Sequence, residues 1–162
     1  MTRRLQLLLL MTLSINLISH YNISKTRKLK ESLNNSEYLE ITSISNKKTQ
    51  IDKLMKALIW VESKGDSTAF APNENAIGVL QIRPIMIRDV NRILKLKGED
   101  NRYHHNDAWD SEKSKEIFMI WLNWYHKADL NFEKIARTWN GGPDGYSEIE
   151  TVKYWDKVKI II

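Results

Sequence analysis

Apolar residues recur at spacings of three and four along much of the chain from residue 49 onwards, a pattern typical of amphipathic helices. The clearest example is the stretch 49–65. Thr49 is suited to cap the start of a helix there, and Gly65 is suited to end it. The apolar stripe of this predicted helix consists of Ile51, Leu54, Met55, Leu58 and Ile59.

Four further helices are predicted downstream from their start and stop residues. Pro84 suits the first turn of the second helix, and Gly98 follows its end. The remaining starts are Asp110 or Ser111 for a helix to about Lys127, Asn131 for one ended by the sequence Asn-Gly-Gly-Pro at 140–143, and Ser147 with Glu150 as a capping box for the last.

A short extended segment is predicted between the first two helices. Residues 66–83 mix turn residues with short apolar runs, and the run from Ala76 to Ile82 suits a strand or half of a small hairpin. With five helices around this segment, the fold class is mainly α with at most one small β-hairpin.

Glu62 interrupts the apolar stripe of the first helix. The next step of the stripe calls for an apolar residue, and a carboxylate stands there instead. A carboxyl group in apolar surroundings tends to keep its proton near neutral pH, because burial disfavours the charged form. A protonated Glu in a cleft is suited to act as a general acid. On its own, the same residue is more simply explained as a helix-end glutamate that reaches water.

The first 48 residues differ from the rest in charge and composition. Residues 1–50 contain eight Lys and Arg against three Asp and Glu, whereas residues 51–162 contain seventeen of each. The folded part is therefore not a basic nucleic-acid binder. Residues 1–20 resemble an export signal, with Arg3 and Arg4 before the apolar run 5–18, and either serve as a signal peptide or remain as a membrane anchor. Residues 21–48 are predicted to be a polar spacer without a helical period.

Four short motifs, in order, resemble the soluble-type lytic transglycosylases. They are Glu62-Ser63, the segment Gly78 to Ile82 with Pro84, the run from Ala136 to Pro143, and Tyr154 with Val158. The resemblance covers about residues 50–160, and it implies a lysozyme-like fold and cleavage of peptidoglycan glycan strands. It assigns residues 49–162 as the catalytic domain and the exported protein to the periplasm or cell envelope.

The resemblance also implies a role for each matched residue. Glu62 corresponds to the single catalytic acid and base of that family. The substrate-binding residues that it implies, including a neighbouring cleft-wall residue, are Ser63, Gln81, Asn140, Tyr154 and Trp139. Tyr154 is expected to bring its hydroxyl to Glu62. Trp139 stands where the family usually has Tyr, so a hydroxyl contact at that position is not expected.

The implied reaction needs no metal or cofactor. Glu62 would protonate the glycosidic oxygen after N-acetylmuramic acid, and the C6 hydroxyl of that sugar would close a 1,6-anhydro ring. A lysozyme on the same fold would instead use water and a second carboxylate, for which Asp66, Glu74 and Asp107 are the candidates. A glycan-binding protein of a cell-wall or secretion assembly, with a decayed cleft, is the third alternative.

The sequence supports few other partners. His104, His105 and Asp107 are close in sequence, but adjacent histidines do not readily point at one ion, so a metal site is not predicted. The expected partner is the peptidoglycan glycan strand, without nucleic acid. Membrane association through residues 5–18 and a cell-envelope assembly partner are left open.

Overall fold

The protein is represented by a computed structural model, which describes residues 21–30 and 35–162. The chain divides into two compact units, 1–49 and 50–162, and each is considered by itself. The predicted export segment, residues 1–20, lies outside the described residues. Among the described residues, no helix combines the length and apolar character needed to cross a membrane. Export and the spacer role of residues 21–48 stay predictions.

The first unit is helical where it is described. Residues 21–30 are helical, and helix α1 spans Asn35–Ser63, ending in the second unit. The predicted start at Thr49 is therefore wrong, because the helix already begins at Asn35, within the segment that was expected to be a spacer without a helical period. Thr49 donates its hydroxyl to the Ser45 carbonyl inside the helix rather than capping it. Nearly all side chains from 35 to 50 are exposed, so this part of the helix has no buried face and its sequence has no apolar period.

The second unit is mainly helical with one small hairpin, as predicted. After α1, strands β1 and β2 pair antiparallel, with Phe70 opposite Ile77 and Ala71 opposite Ala76. The following elements are α2 Pro84–Leu96, a 3₁₀ turn His105–Trp109, α3 Ser111–Tyr125, α4 Phe132–Gly141, a 3₁₀ turn Ile149–Thr151 and α5 Val152–Val158, with β1 at Phe70–Ala71 and β2 at Ala76–Ile77.

Most of the helix boundaries follow the predicted capping chemistry. Pro84 is in the first turn of α2. The Asp110 side chain accepts hydrogen bonds from the amides of Glu112 and Lys113 at the start of α3, and Asn131 does the same for Lys134 at the start of α4. These side chains satisfy backbone donors that have no partner within the helix.

The capping box predicted at Ser147 and Glu150 does not form. Ser147 belongs to a turn, in which its amide donates to the Asp144 carbonyl at 2.8 Å. The chain then enters the 3₁₀ turn after Glu148, which makes no side-chain cap, and α5 begins only at Val152. Ser147 is therefore part of the preceding turn and does not cap a helix.

One hydrophobic core holds these elements together. The buried face of α1 meets the segment after the hairpin, α2, α3, α4 and α5, and the largest fully buried side chains include Leu54, Leu58, Leu80, Ile82, Val90, Phe118, Ile135 and Val158. Gly78 gives the hairpin segment its close approach to this core. Its φ is +74°, and a Cβ there would overlap the backbone carbonyl of Ala108.

Candidate active site

A cleft of about 760 Å³ opens beside the end of α1. It is lined by the hairpin, the start of α2, the end of α3, and α4 with the turn after it. The charged residues that line the cleft are Glu62, Glu74, Arg83, Asp89 and Lys134. The cleft thus combines apolar walls with a few polar groups, which is typical of ligand-binding sites.

Glu62 lies in the last turn of α1 and is half-buried in this cleft. Burial raises the pKa of its carboxyl from the ordinary 4.5 to about 7. The hydrogen bond from Tyr154 and the charge of Arg83 lower the pKa, and the charge of Glu74 raises it, but burial outweighs them. The predicted shift of this pKa is confirmed, and near neutral pH the group exists in both protonated and ionised forms.

Tyr154 makes the contact with Glu62 that the sequence resemblance implied. Its hydroxyl donates to Glu62 Oε1 at 2.7 Å, across a sequence separation of 92 residues. The tyrosine is buried, and burial together with the neighbouring carboxylate raises the pKa of Tyr154 well above 10. It therefore acts as a hydrogen-bond donor and not as a proton source.

A buried arginine fixes the segment that leads to Tyr154. Arg137 of α4 donates through Nε to Thr151 Oγ1 at 3.0 Å and through a terminal nitrogen to the Glu148 carbonyl at 2.9 Å. A third hydrogen bond joins it to Glu133 at 2.9 Å. Because Thr151 immediately precedes α5, this network ties the tyrosine-bearing helix to the wall of the cleft.

Glu74 is the one of the three candidate second carboxylates that lines the cleft. It forms an ion pair with Arg83 at 3.2 Å, and Arg83 also donates to the Asn140 carbonyl at 3.2 Å. Asp66 is instead occupied by the Thr68 amide and hydroxyl, at 2.8 and 2.7 Å.

Asp107 does not line the cleft either. It pairs with Lys113 at 2.7 Å and accepts from the His104 amide. His105 Nε2 lies 2.9 Å from the Ile82 carbonyl. Within the described ranges, no group of three or more metal-ligating side chains is placed to hold an ion.

Gln81 lies in the cleft in a left-handed backbone conformation, with a φ of +46°. Its side-chain nitrogen donates two hydrogen bonds, to the carbonyls of Ala69 at 3.0 Å and Gly78 at 2.9 Å. The glutamine therefore fastens the hairpin to the turn that follows it, while its side chain remains at the cleft surface.

The other predicted site residues differ in whether they line the cleft and in how exposed they are. Asn140 is exposed in the cleft. Trp139 lines it but is only 5% exposed, since its ring packs edge-on against Phe118 and Trp121, with centroids 5.1 Å apart in both pairs. Ser63 does not line the cleft: its hydroxyl donates to the Val79 carbonyl at 2.9 Å, so the structure gives it a supporting position.

Several polar residues of the cleft were not found from the sequence. They are Asp89, Tyr125, His126, Lys134 and Thr138. His126 follows the last residue of α3, is buried, and lies with Nε2 3.1 Å from Thr138 Oγ1. Burial, followed by the charge of Lys134, lowers the pKa of His126. The four-residue spacing of Lys134 and Thr138 places them on one face of α4. This spacing is the one feature of the sequence that could have indicated that they line a common surface.

The comparisons with known proteins give one partial sequence match and two similar solved structures. No protein-family model matches the chain. An invertebrate-type lysozyme from Ruditapes philippinarum is 34% identical over 64 residues, which is 40% of this chain and 47% of that protein. The match thus spans about half the length of that curated relative.

Two solved structures resemble a larger share of the chain. A chain from the crystal structure of Aeromonas hydrophila PliI in complex with Meretrix lusoria lysozyme has a TM-score of 0.55, and Tapes japonica lysozyme has one of 0.54. Each is 21% identical, and each comparison covers 67% of this chain and 88% of the other. The chain therefore has a lysozyme-like fold.

Proposed function

We propose that this protein is a lysozyme-type glycosidase that hydrolyses the glycan strands of peptidoglycan. The observation that carries the proposal is the presence, in one cleft, of two carboxyl groups in different surroundings. Glu62 is half-buried with its pKa raised to about 7, and Glu74 is exposed and salt-bridged to Arg83. Glycoside hydrolysis commonly uses two carboxyl groups in such unlike surroundings.

Glu62 supplies the acid of the reaction. Protonated Glu62 gives its proton to the glycosidic oxygen, the bond from that oxygen to the anomeric carbon breaks, and positive charge develops on the sugar. The hydroxyl of Tyr154, which donates to Oε1 at 2.7 Å, then stabilises the carboxylate that remains.

Glu74 supplies the second carboxylate. It either stabilises the positive sugar and activates water, or bonds transiently to the anomeric carbon before water displaces it. In both routes water provides the new hydroxyl, and its second proton returns to a carboxylate. Each acid–base contribution is worth about 10²–10⁴ in rate.

The similar proteins support hydrolysis rather than the transglycosylase reaction, although the sequence motifs resemble those of lytic transglycosylases. The similar proteins are called lysozymes, including the one that is 34% identical over 64 residues. The Tyr154–Glu62 contact nevertheless matches the one implied by the transglycosylase resemblance. A lytic transglycosylase therefore remains the second candidate, with the muramic C6 hydroxyl in place of water and Glu62 acting alone.

Mass spectrometry of the products separates these two reactions. The full chain would be incubated with purified peptidoglycan, and the released muropeptides weighed. Hydrolysis adds one water per cleavage and creates a reducing end, whereas the C6 hydroxyl route yields a 1,6-anhydro end without water. We expect reducing, hydrated products. Predominantly anhydro products would replace the proposal with the transglycosylase.

Two substitutions test the assigned carboxyl groups. Glu62→Gln keeps the shape but cannot donate a proton, so activity should fall by at least about a hundredfold. The activity of Glu74→Gln should fall by a comparable factor if water is the nucleophile, and by much less if the C6 hydroxyl is the nucleophile. Asp66→Asn is the matched control, because Asp66 lies outside the cleft and the amide oxygen can still accept from Thr68. Full activity in Glu62→Gln would refute the proposal.

A further inference from the structure

The cleft extends beyond Glu62 and is lined by residues of two helices, α2 and α4. Helix α2 lines it from Arg83, just before its first residue, to Asp89, and α4 lines it from Asn140 back to Lys134. Six residues of α-helix rise about 9 Å, so each helix carries the cleft about that far from the catalytic end. We call the distant part, formed by Asp89, Tyr125, His126 and Lys134, the outer cleft.

Lys134 brings an unused positive charge to the outer cleft. Lys134 is half-buried, and its ammonium has no hydrogen bond or ion pair with any residue in the described part of the chain. By contrast, Asp89 is paired with Arg92 at 2.8 Å and accepts from the Tyr125 hydroxyl at 2.9 Å. Glu74 and Arg83 pair with each other. The outer cleft therefore offers a cation to an anionic ligand.

His126 adds a neutral acceptor beside this cation. In the assigned hydrogen-bond network the Thr138 hydroxyl donates to the Lys134 carbonyl at 2.7 Å, which leaves its oxygen to accept from His126 Nε2. The ring proton is therefore on Nε2, and Nδ1 is left with its lone pair. Burial and Lys134 both disfavour a second proton on the ring.

We propose that the outer cleft binds the peptide stem of peptidoglycan, with a stem carboxylate at Lys134 and an amide N–H at His126 Nδ1. This deepens the proposed function and rests on it. An ammonium next to a neutral acceptor matches a peptide, which carries both carboxylates and amide donors. A polyanion fits less well, because three carboxyl groups, of Glu62, Glu74 and Asp89, line the same cleft.

Carboxyl-amidated peptidoglycan provides the direct test, because it keeps the glycan and the stem but removes the stem carboxylates. For the full-length chain we expect Lys134→Ala to raise KM on native peptidoglycan about fivefold, the effect of one partly exposed ion pair, with kcat retained. On amidated substrate, wild type and variant should have the same KM. Lys134→Arg should restore the difference between the substrates. An equal KM for wild type and Lys134→Ala on native substrate would overturn the inference.

Two further measurements show whether the effect belongs to Lys134 and to the stem. Lys95→Ala, in an exposed part of α2 outside the cleft, is the control for loss of a helical lysine and should not change KM. Glycan strands stripped of their stems carry a free lactyl carboxylate, and they should be insensitive to Lys134→Ala. A loss on stripped strands as large as on native ones would overturn the stem assignment in favour of the lactyl group.

Calorimetry distinguishes failure of this inference from failure of the proposed function. Glu62→Gln, which should not cut, would be titrated with a soluble tetrasaccharide that carries stem peptides, in native and amidated forms. Tighter binding of the native form, abolished by adding Lys134→Ala, supports the outer cleft even if the wild type cleaves nothing. Equal binding of the two forms overturns it, whatever the products of the wild type.

Discussion

At the scale of single residues, Tyr154 and burial act on Glu62 in opposite directions. Burial raises the pKa of the carboxyl to about 7, while the hydrogen bond from Tyr154 favours the charged form and lowers it. The tyrosine thus keeps the acid from titrating at a still higher pH, where the carboxyl would give up its proton less readily.

Removing this hydroxyl should move the pH profile of activity. In Tyr154→Phe the pKa of Glu62 should rise, because the ionised form loses its donor. The basic limb of kcat/KM should therefore shift upwards by about half to one pH unit, the worth of one such bond. Tyr103→Phe is the matched control, since Tyr103 also donates to a glutamate, Glu116, outside the cleft. An unshifted limb in Tyr154→Phe would show that the bond does not control the acid.

The burial of Glu62 was predictable because this residue continues an apolar stripe, and burial is the main cause of its raised pKa. Its catalytic role stays a prediction. Glu74 lies in a polar turn without periodicity, so the sequence could name it only together with Asp66 and Asp107. Ser63 matched a motif, but it bonds to the backbone of the neighbouring segment instead of facing the cleft.

At the scale of elements, the hairpin segment depends on Gly78. Residues 78–82 connect β2 to the cleft, and the Gly78 amide donates to the Ala69 carbonyl at 2.9 Å. This segment can lie close to the 3₁₀ turn because Gly78 has no Cβ to meet Ala108. The position of Gln81 follows from that contact.

Two glycine substitutions separate packing from backbone conformation. Gly78→Ala should lower the free energy of unfolding by about 3 kcal/mol or more, because an overlap with backbone adds to the strain of a positive φ. Gly65→Ala has a similar φ, +86°, with open space around it, and should lose only about 1 kcal/mol. Denaturant unfolding followed by circular dichroism measures both. Equal losses would mean that the approach to Ala108 is unimportant.

Element boundaries were predictable where capping side chains or glycines set them. Asp110 and Asn131 cap the helices that they were expected to begin. The start of α1 could not be predicted from apolar periodicity, because the exposed first part of this helix has no apolar stripe. The start of α5 was missed because the turn at Ser147 continues into a 3₁₀ turn, a competition that sequence spacing alone does not reveal.

At the scale of the whole molecule, the buried carboxyl makes stability depend on pH. The folded state keeps the proton of Glu62 up to about pH 7, whereas the unfolded chain releases it near 4.5. Between these values the folded state binds more protons, so the free energy of unfolding falls as the pH rises, and the penalty is complete above about pH 7. Its upper limit is about 3 kcal/mol.

Comparing wild type with Glu62→Gln at pH 5 and pH 8 isolates this contribution. The wild type should lose up to about 3 kcal/mol relative to the variant between the two pH values, as measured by denaturant unfolding. His126 has a lowered pKa and acts in the opposite direction, but it is present in both proteins and cancels in the difference. A difference that does not change with pH would show that Glu62 is not held protonated by the fold.

The cleft as a whole could not be predicted from spacing, because its walls come from distant parts of the chain. Lys134, His126 and Asp89 belong to different helices or helix ends, and none of them interrupts a motif. Their proximity follows only from the packing of α2, α3 and α4 on one core. Fold class needed only the helical periods and the turn residues, so it was predictable.

The two hydrogen bonds from Gln81 limit what this side chain can offer a ligand. Both of its N–H groups are used on the Ala69 and Gly78 carbonyls, so the amide cannot turn over without breaking the hairpin's attachment. What remains for the cleft is a carbonyl oxygen of fixed orientation. Toward a ligand, Gln81 can therefore act only as a hydrogen-bond acceptor. It can bind a hydroxyl or amide hydrogen at this point, but it cannot bind a group that offers only lone pairs.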